Sequence, residues 1–164
     1  LVLISIFILV QFNPSLDIPL RQPLPRICCL ILTNPKNFLT RAVAVNRTWA
    51  PRCDRYYFIS EFSGTSVATT ERRAGRELPI APIPNITRGY DHLTQKSSLA
   101  LLFAYEHHRN DFDWFVKADD DTYLIVDNLR AFLREQNSSE PVTFGYNFKV
   151  SPIELSERAL HPVE

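Results

Sequence analysis

The chain has 164 residues, with 18 Lys plus Arg against 18 Asp plus Glu and therefore no formal net charge. That length holds one domain of ordinary size with a real core, and the even balance offers no basic face to a nucleic acid. Four glycines, at positions 64, 75, 89 and 145, leave no phosphate loop of the P-loop or dinucleotide type.

Residues 1–10, LVLISIFILV, are almost purely apolar. Ten residues cannot cross a bilayer, which takes roughly 20. Residues 1–12 therefore read as the remnant of a membrane anchor or a signal-peptide core, with a buried strand as the alternative. Residues 13–25 follow as a proline-containing, extended stem. Methionine is absent, even at position 1, so a processed chain or a piece of a longer reading frame is expected.

The folded part spans 26–150. Residues 27–33, ICCLILT, form a continuous apolar run closed by Asn34-Pro35, as a strand buried on both faces would. Apolar residues at 38, 39, 42, 43 and 45 predict an amphipathic helix over 38–49, stopped by Pro51. Residues 55–60, RYYFIS, read as a second strand, and 61–84 as an irregular excursion. Asp91 is the expected N-cap of a helix ending near His108, with Leu93, Ala100, Leu101 and Ala104 on one face. Trp114-Phe115-Val116 wants burial and leads a third strand into Asp119, Asp120 and Asp121. Val126, Leu129, Phe132 and Leu133 then predict a helix ending near Glu135, and 142–146 a further short strand. Residues 151–164 form a divergent tail. Trp49 and Trp114 are assigned to the core.

Strands alternating with helices give an α/β class, a mainly parallel sheet with helices on both faces. In such sheets ligands gather at the carboxyl ends of strands. An acidic triplet alone more often faces solvent, but one fed by an aromatic strand suits a hard divalent ion with oxygen ligands. A calcium EF-hand does not fit, since the sixth position is Leu124 rather than glycine.

Cys28 and Cys29 point to opposite faces of a strand, so either could meet Cys53, or all three could be buried thiols. Zinc is not expected, since the cysteine spacing is wrong and His92, His107, His108 and His161 supply no matching pair. Three Asn-x-Ser/Thr acceptors, at Asn46, Asn85 and Asn137, favour a lumenal, oxidising compartment when taken with the apolar start.

The stretches 26–60 (RICCLILTNPKNFLTRAVAVNRTWAPRCDRYYFIS), 89–96 (GYDHLTQK), 113–130 (DWFVKADDDTYLIVDNLR) and 140–149 (EPVTFGYNFK) together resemble the Fringe-like glycosyltransferases. Within that family they are most similar to the core 1 β1,3-galactosyltransferases, also called glycoprotein-N-acetylgalactosamine 3-β-galactosyltransferases. The resemblance implies a Rossmann-like, GT-A-type catalytic domain in a type II Golgi membrane protein. It implies transfer of galactose from UDP-galactose, with Mn2+, to N-acetylgalactosamine on Ser or Thr of a glycoprotein acceptor, with a homodimer as one arrangement. The family's metal carboxylates fall on Asp119 and Asp121. Its nucleotide-sugar contacts fall on Leu32, Gly89, Tyr90, Lys96, Asp119 and Asp120, and its disulfide on Cys29–Cys53. Without the resemblance, Lys96 reads as a solvated surface lysine and Tyr90 as a packed ring.

Two departures stand out. Tyr90 fills a position of basic character in the family. The glycine-rich acceptor-side segment expected after Lys149 is replaced by the unrelated tail, leaving the domain incomplete at its C-terminal half. The general base of an inverting transfer is expected beyond that point. Glu106, Asp111 and Asp113 are the nearby acids, and none is assigned the role. The alternative function is a non-catalytic nucleotide- and metal-binding module, or a chaperone-like relative of the transferase.

Overall fold

A computed structural model describes residues 23–61 and 77–145. The expected anchor remnant, most of the stem, the middle of the excursion and the tail lie outside the described residues. No helix among the described residues is long and apolar enough to cross a membrane.

The centre is β1, Ile27–Leu32, whose six side chains are all buried. β2, Arg55–Ile59, and β3, Trp114–Asp119, flank it, both parallel to it, in the order β2-β1-β3. Strand alternation then splits β1 between two cores. Ile27, Cys29 and Ile31 pack with Phe38, Trp49, Val126 and Leu133. Cys28, Leu30 and Leu32 pack with Ala100, Phe103 and Ala104 on the other face. Helices therefore cover both faces of a parallel sheet, and the α/β expectation holds.

The expected helix over 38–49 is broken. A 3-10 turn at Pro35–Asn37 and a π turn at Phe38–Ala42 precede a short helix α1, Val43–Arg47, and a further 3-10 turn spans Ala50–Arg52. Thr48 ends α1 by donating its hydroxyl to the Ala44 carbonyl at 2.7 Å, the local competition that makes threonine a poor helix interior residue. The buried side survives the irregularity, for Phe38, Ala42, Val45 and Trp49 all face the core while Leu39 is exposed.

A longer helix, α2, spans Leu93–His108 and ends where expected. Its start differs. Gly89 at φ 121° leads into a 3-10 turn, Tyr90–His92, so Asp91 lies inside that turn and His92 takes the N-cap position without a side-chain cap. Its sheet-facing side is Lys96, Ala100, Phe103 and Ala104, whereas Leu93 and Leu101 are exposed. β3 is only half-buried at Trp114, Phe115 and Val116, because it edges the described sheet rather than lying inside it. The last helix among the described residues, α3, Val126–Arg134, buries Val126 and Leu133. Residues 142–145 are not a strand; Phe144 instead sets its ring edge against Phe132, at 5.0 Å between centroids, and lies 5.8 Å from Trp114.

The amino edge of the sheet is clamped covalently and electrostatically. Cys29 and Cys53 form a disulfide. Cys28 stays free, and burial pushes its thiol up to about 12, which leaves it protonated and inert. Asp54 accepts the Ile27 amide at 2.7 Å and pairs with Arg130 at 2.9 Å. Partial burial alone would raise its pKa, but the Ile27 amide and Arg130 outweigh that and hold it below the ordinary carboxylate value. Asp113 is held low by its hydrogen bond and ion pair with Arg26, 2.9 Å away.

Two tests follow from these clamps. The bridge closes 24 residues of chain, so Cys29→Ala with Cys53→Ala should cost about 3.5 kcal/mol on the loop-entropy account, read as a lowered urea midpoint. Both aspartates bind protons less readily folded than unfolded, so their stabilisation is full above about pH 4 and is lost as pH falls through the folded values. Asp54→Asn should therefore lower the urea midpoint at pH 7 and shrink the further drop between pH 7 and pH 3; an unchanged drop would remove Asp54 from the acid response.

Candidate functional site

Parallel strands put all their carboxyl ends on one edge. Here that edge collects Leu32 at the end of β1 and Thr33 after it, Ser60 and Glu61 after β2, and the acidic triplet at the end of β3. The chain runs from β1 to β2 on one side, then returns to lay β3 on the other. The carboxyl ends of β1 and β3 are thus a topological switch point, the place where open α/β sheets bind ligands. Leu32 and Asp119 are register partners across it.

The three carboxylates differ sharply in surroundings. Asp119 is 44 % exposed and lies 3.5 Å from Lys117; Asp121 is 53 % exposed and lies 3.3 Å from Arg41. Asp120 is 7 % exposed. It accepts hydrogen bonds from the Thr33 hydroxyl at 2.7 Å and the Asn37 amide at 2.8 Å, and its other oxygen stands 3.5 Å from Arg41. The backbone is fixed as well. Asp120 donates to the Leu32 carbonyl at 3.0 Å and Thr122 to the Asp119 carbonyl at 3.1 Å. The indole of Trp49, a core residue as expected, donates to the Thr122 carbonyl at 2.9 Å.

Lys96 is not a solvated surface lysine. Lys96 is 5 % exposed, and its ammonium lies 2.8 Å from Glu61 and 2.9 Å from the Thr33 carbonyl. Gly89 and Tyr90 sit at the turn leading into α2, and Tyr90 is 85 % exposed with its ring unpacked. Two further polar atoms near this edge, Asn34 Oδ1 and Ser60 Oγ, are buried with no hydrogen-bond partner among the described residues. Buried polar groups are normally satisfied, so such atoms are where a bound ligand or water finds contacts.

The donor set fits a small hard cation. Among the described residues no three His, Cys, Asp or Glu side chains converge into a protein cage. Two half-exposed carboxylates suit an ion that takes one or two protein ligands and completes its shell with water and substrate phosphates. Asp119 and Asp121 are the side chains that could hold it.

Thr33, Asn37, Arg41 and Glu61 were not singled out by sequence reasoning. A signal was present, because each of Thr33 and Glu61 is a polar residue at the point where an apolar strand stops. The three glycosylation acceptors differ too. Asn46 sits in α1 and accepts the Tyr56 hydroxyl at 2.9 Å, while Asn85, at φ 62°, and Asn137 lie in exposed turns.

A family model described as Fringe-like matches residues 24–163. The chain is 33% identical over 124 residues to glycoprotein-N-acetylgalactosamine 3-beta-galactosyltransferase 1 of Xenopus laevis, covering 76% of this chain and 31% of that protein. It is 32% identical over 135 residues to chondroitin sulfate synthase 3 of Mus musculus, covering 82% and 15%. It is 28% identical over 139 residues to beta-1,3-glucosyltransferase of Mus musculus, covering 84% and 25%. The chain spans less than a third of the length of these relatives.

The buried Lys96–Glu61 pair gives a direct check of this edge. Lys96→Met leaves buried Glu61 with the exposed Arg88, 3.9 Å away, as its remaining charge partner among the described residues. A loss of up to about 3 kcal/mol is expected for a broken buried pair, and adding Glu61→Leu should recover most of it. Chemical denaturation of both variants reads this; equal midpoints for Lys96→Met and the parent would show that the pair contributes nothing.

Proposed function

The chain belongs to the Fringe-like glycosyltransferase family, and on that premise we propose that it carries the nucleotide-sugar half of a β1,3-galactosyltransferase. The donor is UDP-galactose and the acceptor N-acetylgalactosamine on Ser or Thr of a glycoprotein, in the Golgi lumen of a type II membrane protein. One observation carries the reading: Asp119 and Asp121 stand half-exposed at the carboxyl edge where strand order reverses.

In this reading Asp119 and Asp121 hold Mn2+. A bound divalent ion neutralises the departing diphosphate. Leu32 and Gly89 approach the nucleotide through backbone, and the exposed Tyr90 ring is free to stack on the base. Lys96, in the first turns of α2, meets the nucleotide in this reading as an ion pair with Glu61 near the amino end of a 16-residue helix, whose own partial positive charge favours phosphate. The disulfide and the exposed acceptors Asn85 and Asn137 support a lumenal site for this domain.

A transfer assay with the full-length gene product, Mn2+, UDP-galactose and a GalNAc-α-Ser/Thr peptide should yield the galactosylated peptide. Asp121→Asn should lower the rate at least 100-fold while leaving the melting temperature within a few degrees, since the side chain is exposed. Transfer only from another UDP-sugar, or only to a chondroitin acceptor, would redirect the specificity toward the other relatives. Manganese-dependent UDP binding with no transfer to any acceptor would favour a non-catalytic module.

A further inference from the structure

We propose that Asp120, in place of the nucleotide contact that the family resemblance implies for it, is a positioning residue: buried, it locks the turn so that its two neighbours are both held at the surface. The inference rests on the metal and nucleotide reading of the same edge. Three successive carboxylates on a flexible loop would spread apart by repulsion. Here the middle one is drawn inward, with one oxygen accepting both the Thr33 hydroxyl at 2.7 Å and the Asn37 amide at 2.8 Å. Its other oxygen faces Arg41 at 3.5 Å. Its own amide donates to the Leu32 carbonyl at 3.0 Å. Side chain and backbone of a single residue are therefore both tied to the end of β1.

The consequence falls on the neighbours. With Asp120 pinned, Asp119 ends the strand and Asp121 opens the turn, and both carboxylates reach solvent, 44 % and 53 % exposed. The Trp49 indole holds the far end of the turn at Thr122, at 2.9 Å. A cation bound by two carboxylates requires them at fixed separation, and ligands held by hydrogen-bonded supports bind more tightly than loose ones. Thr33 and Asn37 are such supports acting through Asp120.

The sharpest test keeps all three charges in place. Thr33→Val removes one hydrogen bond to Asp120 and leaves the carboxylates untouched, whereas Thr33→Ser keeps the hydroxyl. Calorimetric titration of MnCl2 in the presence of UDP, at a temperature where circular dichroism shows each variant folded, should give at least tenfold weaker binding for Thr33→Val. Asn37→Ala should weaken it in the same direction, and Thr33→Ser should stay within about twofold of the parent. If Thr33→Val binds Mn2+ as the parent does and merely melts lower, Asp120 has a stability role only and the proposal falls. If Asp120→Asn loses UDP binding measured without metal while Thr33→Val does not, Asp120 touches the nucleotide and the proposal falls as well. Asp121→Asn is the separate control: Mn2+ binding that survives it overturns the metal reading itself, whatever Thr33 does.

Discussion

Thr33 commits its three polar groups to three different elements. Its amide donates to the Ile59 carbonyl at the end of β2, its carbonyl accepts from Lys96 of α2, and its hydroxyl donates to Asp120 after β3. A strand buried along its whole length must satisfy its backbone as it emerges, because an unpaired buried group costs about as much as a lost hydrogen bond. The residue that leaves β1 does so by joining the exits of both neighbouring strands to the covering helix. The geometry of the carboxyl edge is thereby set by the same bonds that terminate the core.

The two edges of the sheet are built differently. At the amino edge, Asp113 pairs with Arg26, Asp54 takes both the Ile27 amide and Arg130, and Arg130 also donates to the carbonyls of Pro25 and Arg52. Every one of these charges is matched locally, and the disulfide from Cys29 lies beside them. At the carboxyl edge Asp119 and Asp121 are half-exposed and paired at the surface with Lys117 and Arg41, and Asn34 Oδ1 and Ser60 Oγ are buried with no hydrogen-bond partner among the described residues. Exposed pairs of that kind are weak, so the carboxyl edge can exchange them for contacts with a ligand.

Much of this was legible in the chain itself. The buried strand ICCLILT, the parallel order and the opposite faces of Cys28 and Cys29 follow from period and alternation, which burial enforces strongly. The Cys29 pairing did not follow from the residues, since both cysteines of the strand could be drawn to Cys53; the family resemblance pointed to Cys29. Local patterns failed where two signals competed. The segment 38–49 has helical spacing, but it folds as a π turn and a short helix that the Thr48 hydroxyl ends by bonding back to Ala44, which keeps the buried face and loses the regularity. Phe144, in a stretch read as a strand, has an apolar partner in Phe132 and needs no ladder. The burial of Lys96 could not be read locally, because its partner Glu61 lies 35 residues away and only the sheet brings them together.

The acidic triplet shows why charge clustering alone is a poor guide. Three adjacent carboxylates suggest a cost that only a bound cation relieves, yet the fold relieves most of it unaided. Asp120 is satisfied by two neutral donors and faced by Arg41, while Lys117 and Arg41 stand near the outer two. Exposed pairs of this kind contribute little, typically under about 1 kcal/mol, and are readily given up to a better partner. The triplet is therefore affordable without metal, and its presence proves none. What distinguishes it is position: the outer carboxylates end a strand at the switch point, next to Leu32 and above a turn anchored from inside the core. A solvated acidic loop would have no reason to bury its middle member.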